Sequence, residues 1–332
     1  MMIDSKVPTV AISMGDPAGI GPEVVIRALA DKGTSCLACW VVVGDESVLN
    51  YYERTTGLIP VDKSRLQVVD RKQVDFSQFS PGKLCNACGR ASIEYIREGT
   101  RLCLEGRADA LVTAPVNKEA ISLSHPHFSG HTEFIAELCG GAEPRMMLVN
   151  DRLRIIHVST HVPLRGACEL NVEKVLETIR HGHRAMEELG CRRPRIAVCG
   201  LNPHAGENGL FGTEDSTFIA PAVQAAQREG VRCDGPFPGD TIMLRAVRGA
   251  YDLVVAMYHD QGHIPMKLLD FEHTVNLTVG LPIVRTSVDH GTAFDIAGKN
   301  QADPSSMKAA MTLAVQIAAH RLNGVPAQVE EV

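Results

Sequence analysis

Three histidines in the chain each follow a short apolar run, in the motifs STHVP, GLNPHAGE and MYHDQG. They are His161, His204 and His259. Imidazole is the commonest neutral ligand for a divalent transition metal, and three such ligands with one open position are typical of a catalytic metal site. An ordinary role stays open as the alternative, because the chain has 13 histidines and most of them must pack in the core or face solvent.

Residues that suit an anion form a second group. The sequence SGHTE supplies the imidazole of His131 and the hydroxyl of Thr132, and Lys267, Asn276 and Arg285 follow later in the chain. Cations, amides and hydroxyls at loop positions are typical of a phosphate or carboxylate site. Each residue alone is a weak signal, since a lone lysine or arginine usually lies on a solvated surface.

A glycine-rich segment, MGDPAGIGPE, joins the first predicted strand to the first predicted helix at residues 14–23. It is not a dinucleotide fingerprint, because Val24 stands where that pattern requires glycine. It is not a phosphate-binding P-loop either, because it lacks Gly-Lys-Ser/Thr. A tight strand–helix connection and a ligand contact remain equally compatible with it.

The scaffold for these residues is predicted to be an α/β fold with a mostly parallel sheet, because short apolar runs alternate with longer helical patterns. One helix is predicted between the cap residue Asn171 and Gly190, and another opens at Asp303-Pro304 and ends near Gly324. The predicted strands are Thr9–Ser13, Cys39–Val43, Ala110–Thr113, Arg154–Ser159, Ile196–Gly200, Leu253–Met257 and Val275–Leu277. Since ligands of open α/β sheets bind beyond the carboxyl ends of strands, we expect the three histidines to lie at one edge.

Length and composition indicate a globular protein of two domains. The chain has 332 residues, 45% hydrophobic and 22% charged, with a net charge of -6. No basic patch favours nucleic acid, no apolar run approaches the length of a membrane helix, and the N-terminus lacks a signal-peptide pattern, so we expect a cytoplasmic protein. No linker is visible, which favours a discontinuous boundary. We predict one domain from residues 1–130 with 270–332 and another from residues 131–269.

A set of motifs gives the chain a specific resemblance. MGDPAGIGPE, TAPVNKEAI, SGHTEF, STHVPL, GLNPHAGE, MYHDQG and RTSVDHGTAFDIAGK occur in this order from residue 14 to residue 299. Together they resemble the 4-hydroxythreonine-4-phosphate dehydrogenase family of pyridoxine (vitamin B6) biosynthesis. The resemblance implies NAD-dependent oxidation of a phosphorylated 3-hydroxy acid, followed by decarboxylation of the 3-oxo product. It also implies a homodimer with shared active sites, each in an interdomain cleft.

The resemblance also implies roles for individual residues. The metal-binding histidines of the family match His161, His204 and His259. A histidine set favours zinc over magnesium, and cobalt and manganese are further possibilities. The residues of the family that bind substrate match positions already singled out above, namely His131, Thr132, Lys267, Asn276 and Arg285.

The segment DHGTAFDIAGK, residues 289–299, resembles the adenosine-side loop of isopropylmalate and isocitrate dehydrogenases. Those enzymes bind their nicotinamide cofactor without a Rossmann fold, so the resemblance implies the same two-domain fold and NAD contacts here. An asparagine near the end of their loop falls on Asp303 in this chain, which is also a candidate helix cap. The implied contacts are His290, Gly291, Thr292, Ala293 and Asp295.

The general base is not determined by the sequence, and the candidates are Lys118, Asp240 and Asp260. Several functions share the motifs. Relatives oxidise D-threonate or D-erythronate 4-phosphate, and MYHDQGHIPMKLL and VSTHVPLRGA favour that sugar-acid branch; others act on a cis-dihydrodiol of an aromatic acid. A non-enzymatic metabolite sensor and a phosphotransacylase-like enzyme are the alternatives from other classes.

Overall fold

The computed structural model describes residues 6–76 and 79–323. Its strands are β1 Thr9–Ser13, β2 Cys39–Gly44, β3 Leu66–Asp70, β4 Ala110–Thr113, β5 Arg145–Val149, β6 Arg154–His157, β7 Ile196–Cys199, β8 Cys233–Phe237, β9 Leu253–Ala256, β10 Val275–Val279 and β11 Val284–Ser287. Its α-helices are α1 Gly21–Leu29, α2 Lys32–Ser35, α3 Glu46–Thr56, α4 Asn86–Leu104, α5 Lys118–Ser122, α6 His131–Leu138, α7 Leu164–Ala167, α8 Val172–Glu188, α9 Ala220–Arg228, α10 Gly239–Val247, α11 His259–Leu269 and α12 Ser305–Leu322.

The chain divides into two compact units, one from residues 1–144 with 281–332 and one from residues 145–280. The boundaries of these units lie later in the chain than residues 130 and 270, where the sequence placed the domain boundaries. Two contacts explain the difference. Helix α6 packs against α4 of the first unit, and β10 pairs with β5 of the second.

The first unit is built on five parallel strands in the order β3-β2-β1-β4-β11. Strands covered on both faces read as continuous apolar runs, and the burial of β1, β2 and β4 follows that pattern. The last helix, α12, packs on β11 and β4. The N-cap position of α12 is Pro304, one residue later than the predicted cap Asp303, whose carboxylate nevertheless accepts from the backbone NH of Ser305 at 2.7 Å. The predicted helix end near Gly324 lies outside the described residues.

The second unit has the strand order β10-β5-β6-β9-β7-β8. Strands β6, β9, β7 and β8 run parallel, and β5 is antiparallel to both of its neighbours. Helix α8 begins after Asn171, whose side chain accepts from the backbone NH of Lys174, and Gly190 follows its end with φ 89°. The predicted α/β fold with a mostly parallel sheet is confirmed.

Four strands were not predicted from the sequence: β3, β5, β8 and β11. Strands β3, β8 and β11 carry polar residues or a proline among their apolar residues, and β5 begins with Arg145. No helix in the part of the chain that the structure describes is both long and apolar enough to cross a membrane.

Candidate functional site

Arg285 is the centre of a cationic cluster in the first unit. It lies on β11 and is only 2% exposed. Its guanidinium donates to the hydroxyl of Thr113 at the end of β4 at 2.7 Å, and to the hydroxyl of Thr132 on α6 at 3.4 Å. Burial lowers the pKa of Arg285 to about 10, with Glu133 acting in the opposite direction, so the group stays charged at neutral pH. The cluster therefore presents a fixed, desolvated positive charge.

His131 opens α6 beside this arginine. Burial lowers its pKa well below the usual value, and the charges of Arg285 and Lys118 lower it further, so its ring is neutral. Its Nε2 atom is buried and has no hydrogen-bond partner among the described residues. Lys118 comes close to Gly130, since a Cβ placed on that glycine would lie 3.6 Å from the ammonium. The structure thus brings three predicted residues, His131, Thr132 and Arg285, into one cluster.

The three metal-ligand candidates follow neighbouring strands of the second unit. Strand β9 lies between β6 and β7 and is parallel to both, so all three strand ends face the same way. The rings of His161 and His259 have centroids 6.1 Å apart. The ring of His204 instead contacts Phe211 at 6.1 Å. Among the described residues, no three His, Cys, Asp or Glu side chains form a group that could hold a metal ion.

His204 begins an unusual left-handed turn. It and the next four residues all have positive φ, between 43° and 81°, and only Gly206 among them is a glycine. Left-handed backbone costs a non-glycine residue roughly 1–2 kcal/mol. The neighbouring loop is anchored by buried Asp215, whose carboxylate accepts from the backbone NH groups of Leu201 and Asn202 at 2.8 and 3.3 Å. Strain of this kind concentrates at functional sites.

The segment HDQGH forms the first turns of α11. Although glycine and proline both disfavour a helix, α11 continues through Gly262 and Pro265 to Leu269. Glycine is required for packing, since a Cβ on Gly262 would lie 2.2 Å from Nε2 of His157. His259 and His263 therefore share one helix face, and their rings stack at 3.6 Å with an angle of 10°.

The remaining substrate candidates, Lys267 and Asn276, belong to the second unit. Lys267 lies on α11 with its ammonium 5.4 Å from the ring centroid of Phe271. Asn276 lies on β10 opposite Leu148 of β5. Its Oδ1 atom is buried without a hydrogen-bond partner in the described part of the chain. A buried amide oxygen of this kind calls for a polar ligand.

The general-base candidates differ in position. Lys118 is exposed and lies next to the His131 cluster. Asp240 is exposed in the first turn of α10. Asp260 accepts from Nδ1 of His259 at 2.7 Å, which leaves Nε2 as the other nitrogen of that ring. This contact favours a supporting role for Asp260 rather than proton transfer.

The predicted cofactor loop packs on the glycine-rich MGDPAGIGPE segment. The backbone NH of Ile20 donates to the carbonyl of Thr292 at 3.0 Å, and a Cβ on Gly19 would lie 2.8 Å from Cβ of Thr292. Ala293 has a positive φ of 40°, and Gly291 and Asp295 are exposed. The glycines of the segment thus permit a close contact between two loops.

His290 lies at the start of the same loop. Its Nδ1 atom is 3.0 Å from the carbonyl of Gly291, and its Nε2 atom is buried without a partner among the described residues. The ring therefore has one nitrogen available for a ligand group.

Three functional candidates were missed in the sequence: Thr113, Asp215 and His157. Thr113 is the first residue of the motif TAPVNKEAI, so the family resemblance could have indicated it, although a lone threonine does not. Asp215 and His157 carried none, because only the fold brings them to the histidine loops.

A solved β-decarboxylating dehydrogenase from Thermococcus kodakarensis shares the fold, with 18% identity, a TM-score of 0.51, and coverage of 92% of this chain and 82% of that one. The chain thus has an α/β fold of the isocitrate/isopropylmalate dehydrogenase-like type, as predicted. The family model described as pyridoxal phosphate biosynthetic protein PdxA matches residues 36–314, and the chain belongs to that family.

Two curated relatives are each 44% identical to the chain. One is the 4-hydroxythreonine-4-phosphate dehydrogenase of Geobacter metallireducens, matched over 94% of this chain and 96% of the relative. The other is the D-threonate 4-phosphate dehydrogenase of Cupriavidus necator, matched over 95% and 98%. A crystal structure of 4-hydroxythreonine-4-phosphate dehydrogenase from Klebsiella pneumoniae is 41% identical, with a TM-score of 0.83 and coverage of 94% and 99%. These relatives support an oxidoreductase.

Proposed function

We propose that the protein oxidises a phosphorylated four-carbon 3-hydroxy acid, using NAD and a divalent metal, and that the 3-oxo product is decarboxylated. The 4-hydroxythreonine 4-phosphate type of substrate is the first candidate, and D-threonate or D-erythronate 4-phosphate is the second. The observation that carries the proposal is the buried cluster of Arg285, Thr113, Thr132 and His131 in a chain of this family.

The cluster suits a dianionic group of the substrate. A charge-assisted hydrogen bond to a buried guanidinium contributes roughly 1.5–3 kcal/mol. His131 is neutral, so its ring exchanges hydrogen bonds with the substrate without adding charge. Lys118 adds a second cation beside Gly130 and remains the candidate for moving a proton.

The histidines fit a divalent metal by their donor chemistry. Nδ1 of His259 is held by Asp260, and the ring of His161 is 6.1 Å away, so two imidazoles already face one region. His161, His204 and His259 would hold the ion, and a zinc-like ion suits a nitrogen donor set better than magnesium does. A bound ion would supply Lewis acidity toward the hydroxyl that is oxidised.

The loop from His290 to Asp295 fits the cofactor. One nitrogen of His290 has no protein partner among the described residues. The glycine-rich segment packs against the loop through the hydrogen bond from the Ile20 NH to the Thr292 carbonyl. NAD would supply hydride acceptance, while the chain fixes its orientation.

We also propose a homodimer whose active sites are shared. What supports it is a set of exposed apolar side chains beside the histidines, since Ile264 and Leu268 on α11 are 62% and 85% exposed. Large exposed apolar residues on one helix face are typical of an interface. Light scattering tests the oligomer, and a fully active monomer would contradict the proposal.

An assay of NADH formation tests the substrate. Purified protein is supplied with the 4-phosphates of 4-hydroxythreonine, D-threonate and D-erythronate, each with NAD and Zn²⁺ or Co²⁺, and CO₂ release is measured in parallel. We expect one of the three to exceed the others by at least tenfold in kcat/KM. The sugar-acid alternative is favoured if D-threonate or D-erythronate 4-phosphate is preferred. No NADH with any of them would contradict the proposal, and NADH without CO₂ would remove decarboxylation from it.

A further inference from the structure

Three histidine rings of the second unit, here called the histidine stack, contact one another in series from the core to the surface; the inner pair is tilted by 45° and the outer pair lies flat. His157 at the end of β6 is 1% exposed, and His263 on α11 is 5% exposed. Their ring centroids are 4.7 Å apart. His263 in turn lies flat against His259 at 3.6 Å, and the side chain of His259 is 38% exposed. The stack therefore connects a partly exposed candidate ligand to two buried rings.

We propose that His263 is a positioning residue that holds the imidazole of His259 in its ligand orientation. The proposal rests on the function proposed above, in which His259 binds a divalent metal. A partly exposed histidine samples several rotamers, whereas a ring pressed flat against a buried neighbour is restricted to one face. Because Asp260 holds Nδ1 of His259 from one side, the two contacts together fix both the tilt and the rotation of the ring.

The orientation of His263 itself is determined by its surroundings. Its Nδ1 atom lies 3.1 Å from the carbonyl of His259, one helical turn earlier. Its other face meets His157, whose Nδ1 atom is 3.2 Å from the carbonyl of Met146 on β5. Gly262 is the residue that lets α11 come this close, because a Cβ there would overlap Nε2 of His157. Backbone carbonyls thus hold the inner ring, His157, and the middle ring, His263, while the Asp260 carboxylate holds the outer ring, His259.

This role predicts an effect on metal affinity that exceeds any effect on folding. Residues that orient a metal ligand typically change metal affinity by roughly ten- to hundredfold when they are replaced. A residue that only fills space would change the melting temperature and leave the affinity of the folded protein unchanged. Affinity for Co²⁺, with the visible spectrum of the bound ion, distinguishes the two.

The test compares His263→Leu, which removes the flat ring, with His263→Phe, which keeps a flat ring but loses the hydrogen bond to the carbonyl of His259. His273→Leu is the matched control, since His273 is an exposed histidine after α11 that contacts only Asp270 among the bonds described. Co²⁺ is titrated into metal-free protein, and thermal unfolding of each variant is recorded without metal. We expect Kd for Co²⁺ to rise roughly ten- to hundredfold in His263→Leu. The rise in His263→Phe should be no more than about a third of that, and the control should be unchanged.

Two results would overturn the inference: a wild-type Kd in His263→Leu, or equal losses in the Leu and Phe variants. If His263→Leu does not fold, His263→Met takes its place, because its flexible chain fills similar space without a flat ring. Failure of the metal proposal gives a different pattern. In that case the wild-type protein does not bind Co²⁺, or His259→Ala binds it as tightly as the wild type does.

Discussion

In the first compact unit, the guanidinium of Arg285 is 2% exposed and already hydrogen-bonded to Thr113 and Thr132. In the second unit, the side chain of His259 is 38% exposed, and His161 and His204 lie at the surface. Folding alone assembles the arginine cluster. Only two of the three histidines, His161 and His259, are brought together among the described residues.

This difference has a physical cause. A buried charge must be hydrogen-bonded when the protein folds, because an unpaired one is strongly destabilising. Exposed imidazoles carry no such requirement, since water satisfies them. We therefore expect changes in the arginine cluster to affect substrate affinity and stability together, and changes in the histidines to affect metal binding with little loss of stability.

The largest effect is expected from removing the histidine ligands. His161→Ala, His204→Ala and His259→Ala should each lose bound metal and reduce kcat by more than about a hundredfold, the upper end for residues that only support a ligand. Elemental analysis and NADH formation measure the two effects. Melting temperatures should change little, because the side chains lie outside the core.

His183→Ala is the control for these variants, since His183 lies on α8 near Glu187 and away from the strand ends. If all three ligand variants retained their metal, the assignment of the metal site would be wrong. If they lost metal and also failed to fold, the expectation that changes in the histidines affect metal binding with little loss of stability would be wrong.

Arg285→Met should give the next largest effect. Loss of the charge-assisted hydrogen bonds should raise KM for the phosphorylated substrate by roughly ten- to hundredfold, because each such bond contributes roughly 1.5–3 kcal/mol to binding. Arg285→Lys should recover only part of this, because an ammonium does not reproduce the planar fork of a guanidinium. Steady-state kinetics with phosphorylated and unphosphorylated substrates measure the change.

Arg54→Met is the control for the arginine, since the side chain of Arg54 is exposed and, among the residues that the structure describes, donates to the carbonyl of Asn50 alone. Equal losses with both kinds of substrate would show that Arg285 does not recognise the phosphate. A drop in kcat at unchanged KM would assign it to the chemical step instead.

Sequence patterns predicted the strands that carry the histidines because those strands are continuous apolar runs ended by Pro- and Gly-containing turns. Strands β6, β7 and β9 begin at the predicted residues and end one or two residues early. The sequence did not reveal β5 or β11, whose polar residues face partners that only the fold supplies. Arg285, for example, stands in a buried strand, where a charged residue argues against a strand.

Helix α11 shows a second limit of the sequence. Gly262 and Pro265 both disfavour a helix, yet the chain is helical from His259 to Leu269. The reason is tertiary, because the ring of His157 occupies the space that a side chain at residue 262 would need. Because His157 lies far from Gly262 in the sequence, the residues around Gly262 do not predict this contact.

Acid should destabilise the first unit through His131. The folded-state pKa of this histidine is lowered by burial and by the charges of Arg285 and Lys118, so the native ring stays neutral. As pH falls below about 6.5, the unfolded chain gains a proton that the native chain does not, and stability falls. One such proton changes the free energy of unfolding by about 1.4 kcal/mol per pH unit.

Urea denaturation of metal-free protein between neutral and mildly acidic pH measures this slope. In His131→Gln, the free energy of unfolding should depend less steeply on pH, by about one proton in that range, because glutamine does not titrate. Glu133, the nearby carboxylate, is unchanged in this variant. An unchanged slope would show that His131 is protonated in the folded protein, and the interpretation of its ring as neutral would then be wrong.

The smallest effect is expected from Thr113→Val, which removes one hydroxyl and keeps the shape of the side chain. Thr113 accepts from Nη2 of Arg285 at 2.7 Å, so the variant leaves one N–H of a buried guanidinium without that partner. We expect KM for the phosphorylated substrate to rise by about tenfold, because a hydrogen bond to a charged group contributes roughly 1.5 kcal/mol at the low end of its range. The guanidinium should still be held by Thr132, though less firmly.

Thr286→Val is the matched control for this change. Thr286 is also fully buried, and its hydroxyl donates to the carbonyl of Ala310 on α12 at 2.9 Å. It follows Arg285 on β11, so the two side chains point to opposite faces of the sheet. Both valine variants should lose stability to a similar degree, but only Thr113→Val should raise KM. A rise in KM in both would mean that KM reports general loosening of the sheet, and the claim that Thr113 orients Arg285 for an anion would fail.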